Sequence, residues 1–154
     1  MAVPGARLQR VTDQAKEIGT DILFLDTAPH SEGTALATAR ASDLILVSCQ
    51  PSIVDLRALR RTAELLAHVN KPTYVILNPV SPNLLVSDEA ARTITEEFNL
   101  PVSDVRLGSR VAYNRCMIAG QTAPEYDPEG KATRKIAKLY KWVCQLVDMS
   151  IKKG

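Results

Sequence analysis

The chain has 154 residues, of which 45% are apolar and 23% charged, with a formal net charge of +2. This length and balance are typical of one globular domain, and no apolar run approaches the roughly 20 residues that cross a membrane. The start of the chain shows no signal peptide, so we expect a cytoplasmic protein without membrane contact. Its three cysteines lack C-x-x-C spacing, which indicates neither a disulfide framework nor a zinc site.

The helices and strands predicted along the chain alternate. Apolar residues at helical spacing predict a first helix over 7–18, and Gly19 follows it as a typical helix end. Ser87 is predicted to cap a later helix, with Asp88 and Glu89 in its first turn. The predicted helices are 7–18, 34–41, 55–69, 87–99, 110–119 and 131–151, with a Pro/Gly loop over 120–130, and the predicted apolar strands are 22–26, 44–49, 73–77 and 102–107.

This alternation of uniformly apolar strands with helices predicts the fold class. Strands that are apolar on both faces are typical of a parallel sheet that is covered on both sides. We therefore expect a single α/β domain over 1–154, with a mostly parallel sheet and helices on both faces.

The first apolar strand ends on a carboxylate at Asp26. In an open α/β sheet, the carboxyl ends of the strands form the edge where ligands bind. A hydrophobic strand that closes on Asp is the Walker B pattern, whose carboxylate holds the Mg²⁺ of a nucleotide directly or through water. The alternative is a surface Asp that caps a turn, and the pattern alone leaves both interpretations open.

Four sequence blocks occur in an order that is typical of one family. The chain resembles the ParA/MinD family of deviant-Walker ATPases, and most closely its plasmid-partition ParA branch. The blocks are Leu25-Asp26-Thr27-Ala28-Pro29, with Ala28 in place of the family's first Pro; Ser42-Asp43-Leu44 with Gln50-Pro51-Ser52-Ile53-Val54-Asp55-Leu56; Ile76-Leu77-Asn78; and Arg110-Val111-Ala112-Tyr113 with Ala119-Gly120-Gln121-Thr122 and Glu125-Tyr126-Asp127-Pro128-Glu129-Gly130-Lys131-Ala132.

The resemblance implies an ATP and Mg²⁺ site at the strand ends. Asp26 would hold the Mg²⁺ shell, and Thr27 and Pro29 would belong to the switch segment that responds to loss of the γ-phosphate. Asn78 would hydrogen-bond the adenine edge through its side-chain amide, and Arg110 would pack its guanidinium on the base. The alternatives are a turn residue before a proline for Asn78 and a solvated cation at a helix start for Arg110.

The phosphate-binding loop of the family, K-G-G-x-G-K-[ST], does not occur in these 154 residues. The segment Gly130-Lys131-Ala132-Thr133 follows a loop instead of a strand, so we reject it as a phosphate loop. We expect the missing strand, loop and switch I to precede residue 1, which makes the chain the C-terminal two-thirds of a ParA-like ATPase domain. Alone it should bind ATP weakly or not at all, it should not hydrolyse it, and its unpaired strand edges should favour self-association.

The charge is divided unevenly along the chain. Residues 1–105 carry 9 Lys and Arg against 13 Asp and Glu, a net of −4, whereas residues 106–154 carry 10 against 4, a net of +6. This division favours an anionic partner for the last third, although a solvated helix surface is the alternative. The resemblance implies binding to DNA without sequence preference, either through 57–61 on the third helix or through the C-terminal cations Arg115, Lys131, Arg134, Lys135, Lys138 and Lys141.

Three functions follow as hypotheses. The first is a nucleoid-associated partition ATPase of ParA type that works with a centromere-binding partition protein. The second is a non-catalytic remnant or regulator that pairs with a full-length ParA-like subunit or binds DNA. The third, an unrelated doubly wound binding domain such as a receiver-like module, is disfavoured because no acidic pair precedes Ile22.

Overall fold

The computed structural model describes residues 5–27, 32–81 and 84–151. These residues form seven helices and two strands in an α/β arrangement, which confirms the predicted α/β class. In chain order the elements are α1 (Gly5–Glu17), α2 (Glu32–Ala41), β1 (Ile45–Cys49), α3 (Ile53–Leu66), β2 (Thr73–Leu77), α4 (Leu84–Phe98), α5 (Val111–Ile118), α6 (Ala123–Tyr126) and α7 (Lys131–Ile151). No helix among them is both long and apolar enough to cross a membrane.

The sheet is built from β1 and β2, which pair in parallel with Ile45 opposite Thr73 and Cys49 opposite Leu77. The crossover between them is α3, as expected for a βαβ unit. Helix α3 begins at Ile53, two residues before the predicted start, because Ser52 stays in an extended conformation and its hydroxyl accepts a hydrogen bond from the backbone N–H of Asp55 at 3.2 Å.

A third segment follows the free side of β2 but is not a regular strand. The backbone of Val75 bonds to Pro101 and Ser103, and Leu107 donates to Leu77 at 3.1 Å. Between these contacts the Ser103 hydroxyl accepts the backbone N–H of Val105 at 3.0 Å. A side chain that takes a neighbouring backbone N–H in this way competes with the strand ladder. The predicted strand over 102–107 is therefore wrong in part, and two isolated parallel bridges replace it.

Helices lie against both faces of β2. Side chains alternate across a strand, so Val75 and Leu77 share one face and Tyr74 lies on the other. The first face packs in the main core with Leu59 of α3 and Ile94 of α4. On the second face, the rings of Tyr74 and Trp142 of α7 meet edge to face at 5.4 Å between centroids.

The predicted strand over 22–26 is wrong in the described structure. Residues 22–27 have no regular secondary structure, and Phe24 is 72% exposed. A four-residue apolar run becomes a buried strand only where backbone partners lie beside it, and within the described ranges no backbone hydrogen bond joins this segment to another element.

The predicted start of α4 is also wrong. The helix begins at Leu84, so Ser87 lies inside it and is fully buried instead of capping it. Asp88 consequently lies past the first turn. It forms an ion pair at 2.6 Å with Arg106, which belongs to the segment that follows the free side of β2.

The C-terminal part has its own small core, formed where α5, α6 and α7 meet. Cys116, Ala123 and Ala132 are buried there, and the residues predicted as a loop include the short helix α6. The Thr133 hydroxyl bonds to the carbonyls of Ala123 at 2.9 Å and Asp127 at 2.6 Å, and so joins α6 to α7. A side chain at Gly130 would collide with the Asp127 carboxylate, so only glycine fits this turn unchanged.

Candidate functional site

Two of the predicted nucleotide residues lie beyond the carboxyl ends of the strands. Asn78 directly follows β2, is half-buried, and donates its backbone N–H to Cys49 at the end of β1 at 2.9 Å. Two residues on, Val80 bonds to Leu107 and Ser109, which brings the chain to Arg110 at the start of α5. Asn78 and Arg110 are thus held by paired backbone at the edge where α/β sheets bind ligands.

The Walker B residues of the predicted site do not lie at the end of a strand. Asp26 and Thr27 are exposed and lie in the segment without regular structure between α1 and α2, while Pro29 lies outside the described residues. Mg²⁺ in nucleotide sites is usually held by one or two carboxylates together with phosphate oxygens. Among the described residues no group of three or more His, Cys, Asp or Glu is placed to hold a metal ion. The Mg²⁺ role of Asp26 therefore stays a prediction, because a nucleotide site uses only one or two carboxylates and the phosphate oxygens supply further ligands.

The most distinctive site is a cavity between the start of α5 and the first two turns of α7, which we call the basic cavity. Its volume is about 310 Å³, and every side chain that lines it is cationic. The lining residues are Arg110, Lys131, Arg134, Lys135 and Lys138.

Helical spacing explains why four of these cations meet. Positions 131, 134, 135 and 138 are three or four residues apart along α7, so they share one face. Arg110 reaches the same place because α6 folds α5 back against α7. The structure therefore unites two sets of predicted residues, the adenine-flanking Arg110 and four of the six C-terminal DNA-binding cations.

The orientation of the basic cavity is fixed by local hydrogen bonds. Arg134 donates from Nη1 to the backbone carbonyl of Glu129 at 2.6 Å, which holds its guanidinium at the start of α7. At the start of α6, Glu125 accepts the backbone N–H and the hydroxyl of Thr122. These two bonds hold the pKa of the Glu125 carboxyl below its ordinary value, so this turn remains capped at neutral pH.

Two polar atoms beside the basic cavity are buried. Neither Arg110 Nε nor the Tyr113 hydroxyl has a hydrogen-bond partner among the residues that the structure describes. Burial raises the pKa of the Tyr113 phenol, and the positive charge of Arg110 opposes that rise. The two groups are therefore electrostatic neighbours, with Arg110 directly before α5 and Tyr113 in its first turn.

The remaining predicted cations lie elsewhere. Arg115 and Lys141 are exposed but do not line the basic cavity. On α3, the exposed Arg60 pairs with Glu64 at 3.4 Å, which offsets part of the charge on that competing surface.

Sequence reasoning missed Tyr113 as a site residue. Its spacing of three from Arg110, in a segment predicted to be helical, is the signal that could have pointed to it, although the structure keeps Arg110 extended directly before α5. It also missed a larger cavity of about 630 Å³, which lies at the opposite, amino end of the strands beside Lys71, Thr73 and Pro101.

Comparison with known proteins adds no relative, because no protein-family model matches the chain and no curated protein is significantly similar to it.

Proposed function

We propose that this chain is a ParA-like partition protein whose active surface is the basic cavity and the exposed cations around it. This surface binds the phosphate backbone of DNA without reading its sequence. The observation that carries the proposal is a cavity lined by five cations and by no other side chain. Contacts to backbone phosphates supply most of the affinity in non-specific DNA binding.

Further support comes from how little of this positive charge is neutralised internally. The two ion pairs found between described residues are Arg60–Glu64 and Arg106–Asp88, and neither involves a residue of the basic cavity. The chain has only seven Phe, Trp and Tyr residues to stack on bases, which agrees with binding to backbone instead of sequence.

The proposal also includes a P-loop NTPase-like fold. A P-loop NTPase-like sheet has parallel strands with ligand residues at their carboxyl ends, and the order β1, β2 and the segment at 101–109 is compatible with part of such a sheet. In this proposal ATP and Mg²⁺ are cofactors of the complete ATPase domain. The proposed partners are a second copy or a full-length ParA-like subunit and a centromere-binding partition protein, on the nucleoid in the cytoplasm.

The test of DNA binding compares two triple variants of equal charge change. Replacing Lys131, Lys135 and Lys138 by Gln removes three cations of the basic cavity, whereas the matched control replaces Arg57, Arg60 and Arg61 of α3. Binding to a random-sequence duplex is measured by fluorescence anisotropy over a series of salt concentrations. If each lysine neutralises one phosphate, the slope of log K against log salt becomes shallower by about 2.7 in the first variant.

The control should keep a slope close to that of the original chain. A larger loss in the α3 variant would move the DNA surface to α3. If the unaltered chain does not bind duplex at low salt, the proposed function is wrong.

The nucleotide part is tested separately by titration with an ATP analogue and Mg²⁺. Asp26→Ala and Asn78→Ala are compared with the original chain. Weaker binding in both variants would support an ATP site that includes Asp26 and Asn78. No binding in any of the three proteins would favour the second proposal, a non-catalytic ParA-like protein that acts through DNA or dimerisation, for which the exposed basic cavity is the supporting observation.

A further inference from the structure

We propose that the basic cavity is a seat for a phosphate group in a compact polyanion, with Arg110 as its central ligand. The phosphate has two candidate sources. These sources are the backbone of a nucleic acid and a small free anion such as pyrophosphate. The inference rests on the proposed function only where the phosphate comes from DNA.

The charge arrangement on α7 is unfavourable without an anion. Lys131, Lys135 and Lys138 carry like charges on one face, and like charges at helical spacing destabilise a helix. The first turn of α7 also contains no acidic residue, so its cations lie beside the positive end of the helix dipole. A phosphate at this place relieves both repulsions, and the backbone N–H groups of the first turn favour the same negative charge.

Arg110 adds an observation that does not depend on α7. Its Nε is buried and has no acceptor within the described part of the chain, although buried polar atoms are nearly always hydrogen-bonded. A phosphate oxygen is the acceptor that a planar guanidinium binds best.

The size and lining of the cavity define the ligand class. A volume of about 310 Å³ lies at the lower end of the ~300–1,000 Å³ that small-molecule sites usually occupy. No aromatic side chain lines it, so a nucleobase finds no aromatic ring to stack on there. The chemistry fits a compact, highly charged group, with Arg134 still offering donors beyond the one bound to the Glu129 carbonyl.

The test uses inorganic pyrophosphate as the probe and isothermal titration calorimetry of the full chain at low ionic strength. We expect Arg110→Gln to weaken pyrophosphate binding about tenfold or more. The control is Lys141→Gln, which lies on α7 but outside the basic cavity, and its affinity for pyrophosphate should stay within about twofold of the original. Lys135→Gln serves as a second cavity variant if Arg110→Gln does not fold, as judged by circular dichroism. The seat is overturned if pyrophosphate does not bind, or if cavity and control variants bind it equally.

A parallel titration with random-sequence duplex distinguishes the source of the phosphate. Loss of both pyrophosphate and duplex binding in Arg110→Gln supports the seat and assigns it to nucleic-acid backbone. Loss of pyrophosphate binding alone supports the seat and assigns it to a small free anion. Duplex binding that persists without any pyrophosphate binding overturns the seat and leaves the proposed DNA function standing, and failure of the duplex to bind at all overturns the proposed function independently.

Discussion

Ser87 is a polar residue in an apolar place. It is fully buried in α4, and its hydroxyl has no hydrogen-bond partner among the described residues. A buried hydroxyl without a partner loses its hydration and gains nothing in return. We expect Ser87→Ala to increase the free energy of unfolding by about 1 kcal/mol in urea denaturation.

The sign of this change distinguishes the structure from the sequence prediction. Had Ser87 been the helix cap predicted from its position before two acidic residues, alanine would destabilise the protein by a similar amount. Thr95→Ala on the exposed side of the same helix is the matched control, and it should change stability little. A decrease for Ser87→Ala would contradict the described environment.

Cys49 makes the stability of the fold depend on pH in the alkaline range. Burial at the end of β1, together with the negative charge of Asp55, raises the pKa of the Cys49 thiol to about 11. An unfolded thiol titrates near 8.5, so between these values the unfolded chain releases a proton that the folded chain keeps. The free energy of unfolding should therefore fall as pH rises from about 9 to 11, by up to about 1.4 kcal/mol per pH unit.

The measurement compares pH-dependent urea denaturation of the original chain with that of Cys49→Ala. The other titrating groups are present in both proteins, so the difference between the two curves isolates the contribution of Cys49. Equal slopes above pH 9 would contradict the assigned burial of this thiol.

For single residues, the sequence predicts the cations of the basic cavity but not the cavity itself. Positions 131, 134, 135 and 138 share a helical face by spacing alone. That Arg110 faces them depends on the turn at 120–130, which contains α6, and on the Thr133 hydrogen bonds across that turn. Such contacts join residues far apart in the sequence and leave no periodic signal.

Among the helices and strands, α3 owes its start to a local device. Ser52 exchanges hydrogen bonds with Asp55, which lies in the first turn where the helix dipole favours a negative charge. We expect Ser52→Ala to lower the free energy of unfolding by about 1 kcal/mol. Thermal and urea denaturation measure the change, and Thr62→Ala, whose hydroxyl bonds back to Ala58 within the same helix, is the control.

The prediction of strands succeeded where the pairing partner is close in the chain. β1 and β2 are joined by one helix, and their predicted bounds, 44–49 and 73–77, agree with the structure to within one residue. The run at 22–25 has the same apolar composition but has no backbone partner among the described residues. The segment at 102–107 fails for a different reason, because Ser103 takes a backbone donor from the ladder. Composition predicts the tendency to form a strand, whereas pairing decides the result.

For the molecule as a whole, the apolar segment at 22–25 is one of the surfaces that the described fold leaves exposed. Phe24 is 72% exposed and Leu23 41%, and Ile18, directly after α1, is 82% exposed. Contiguous apolar exposure of this kind favours association. We expect the chain to self-associate with increasing concentration, and Phe24→Glu to weaken the association at least about tenfold in sedimentation equilibrium.

Val54→Glu is the control for this change. Val54 is also 72% exposed, but it lies in the first turn of α3, where an added carboxylate is compatible with the helix dipole. If Phe24→Glu and Val54→Glu associate equally, the 22–25 segment is not the contact. A chain that remains monomeric at all concentrations would contradict the predicted self-association.

Gly130 connects the geometry of the turn to the spacing of the charges in the basic cavity. Its missing side chain lets the Asp127 carboxylate occupy the space beside it, and the next residue is Lys131, the first of the cavity cations. A single methyl group added at this position would displace the Asp127 carboxylate and press against the Asp127 carbonyl. The position of a carboxylate just before the first cavity cation thus depends on an uncharged residue, and the electrostatic field at Lys131 can change here while the total charge stays constant.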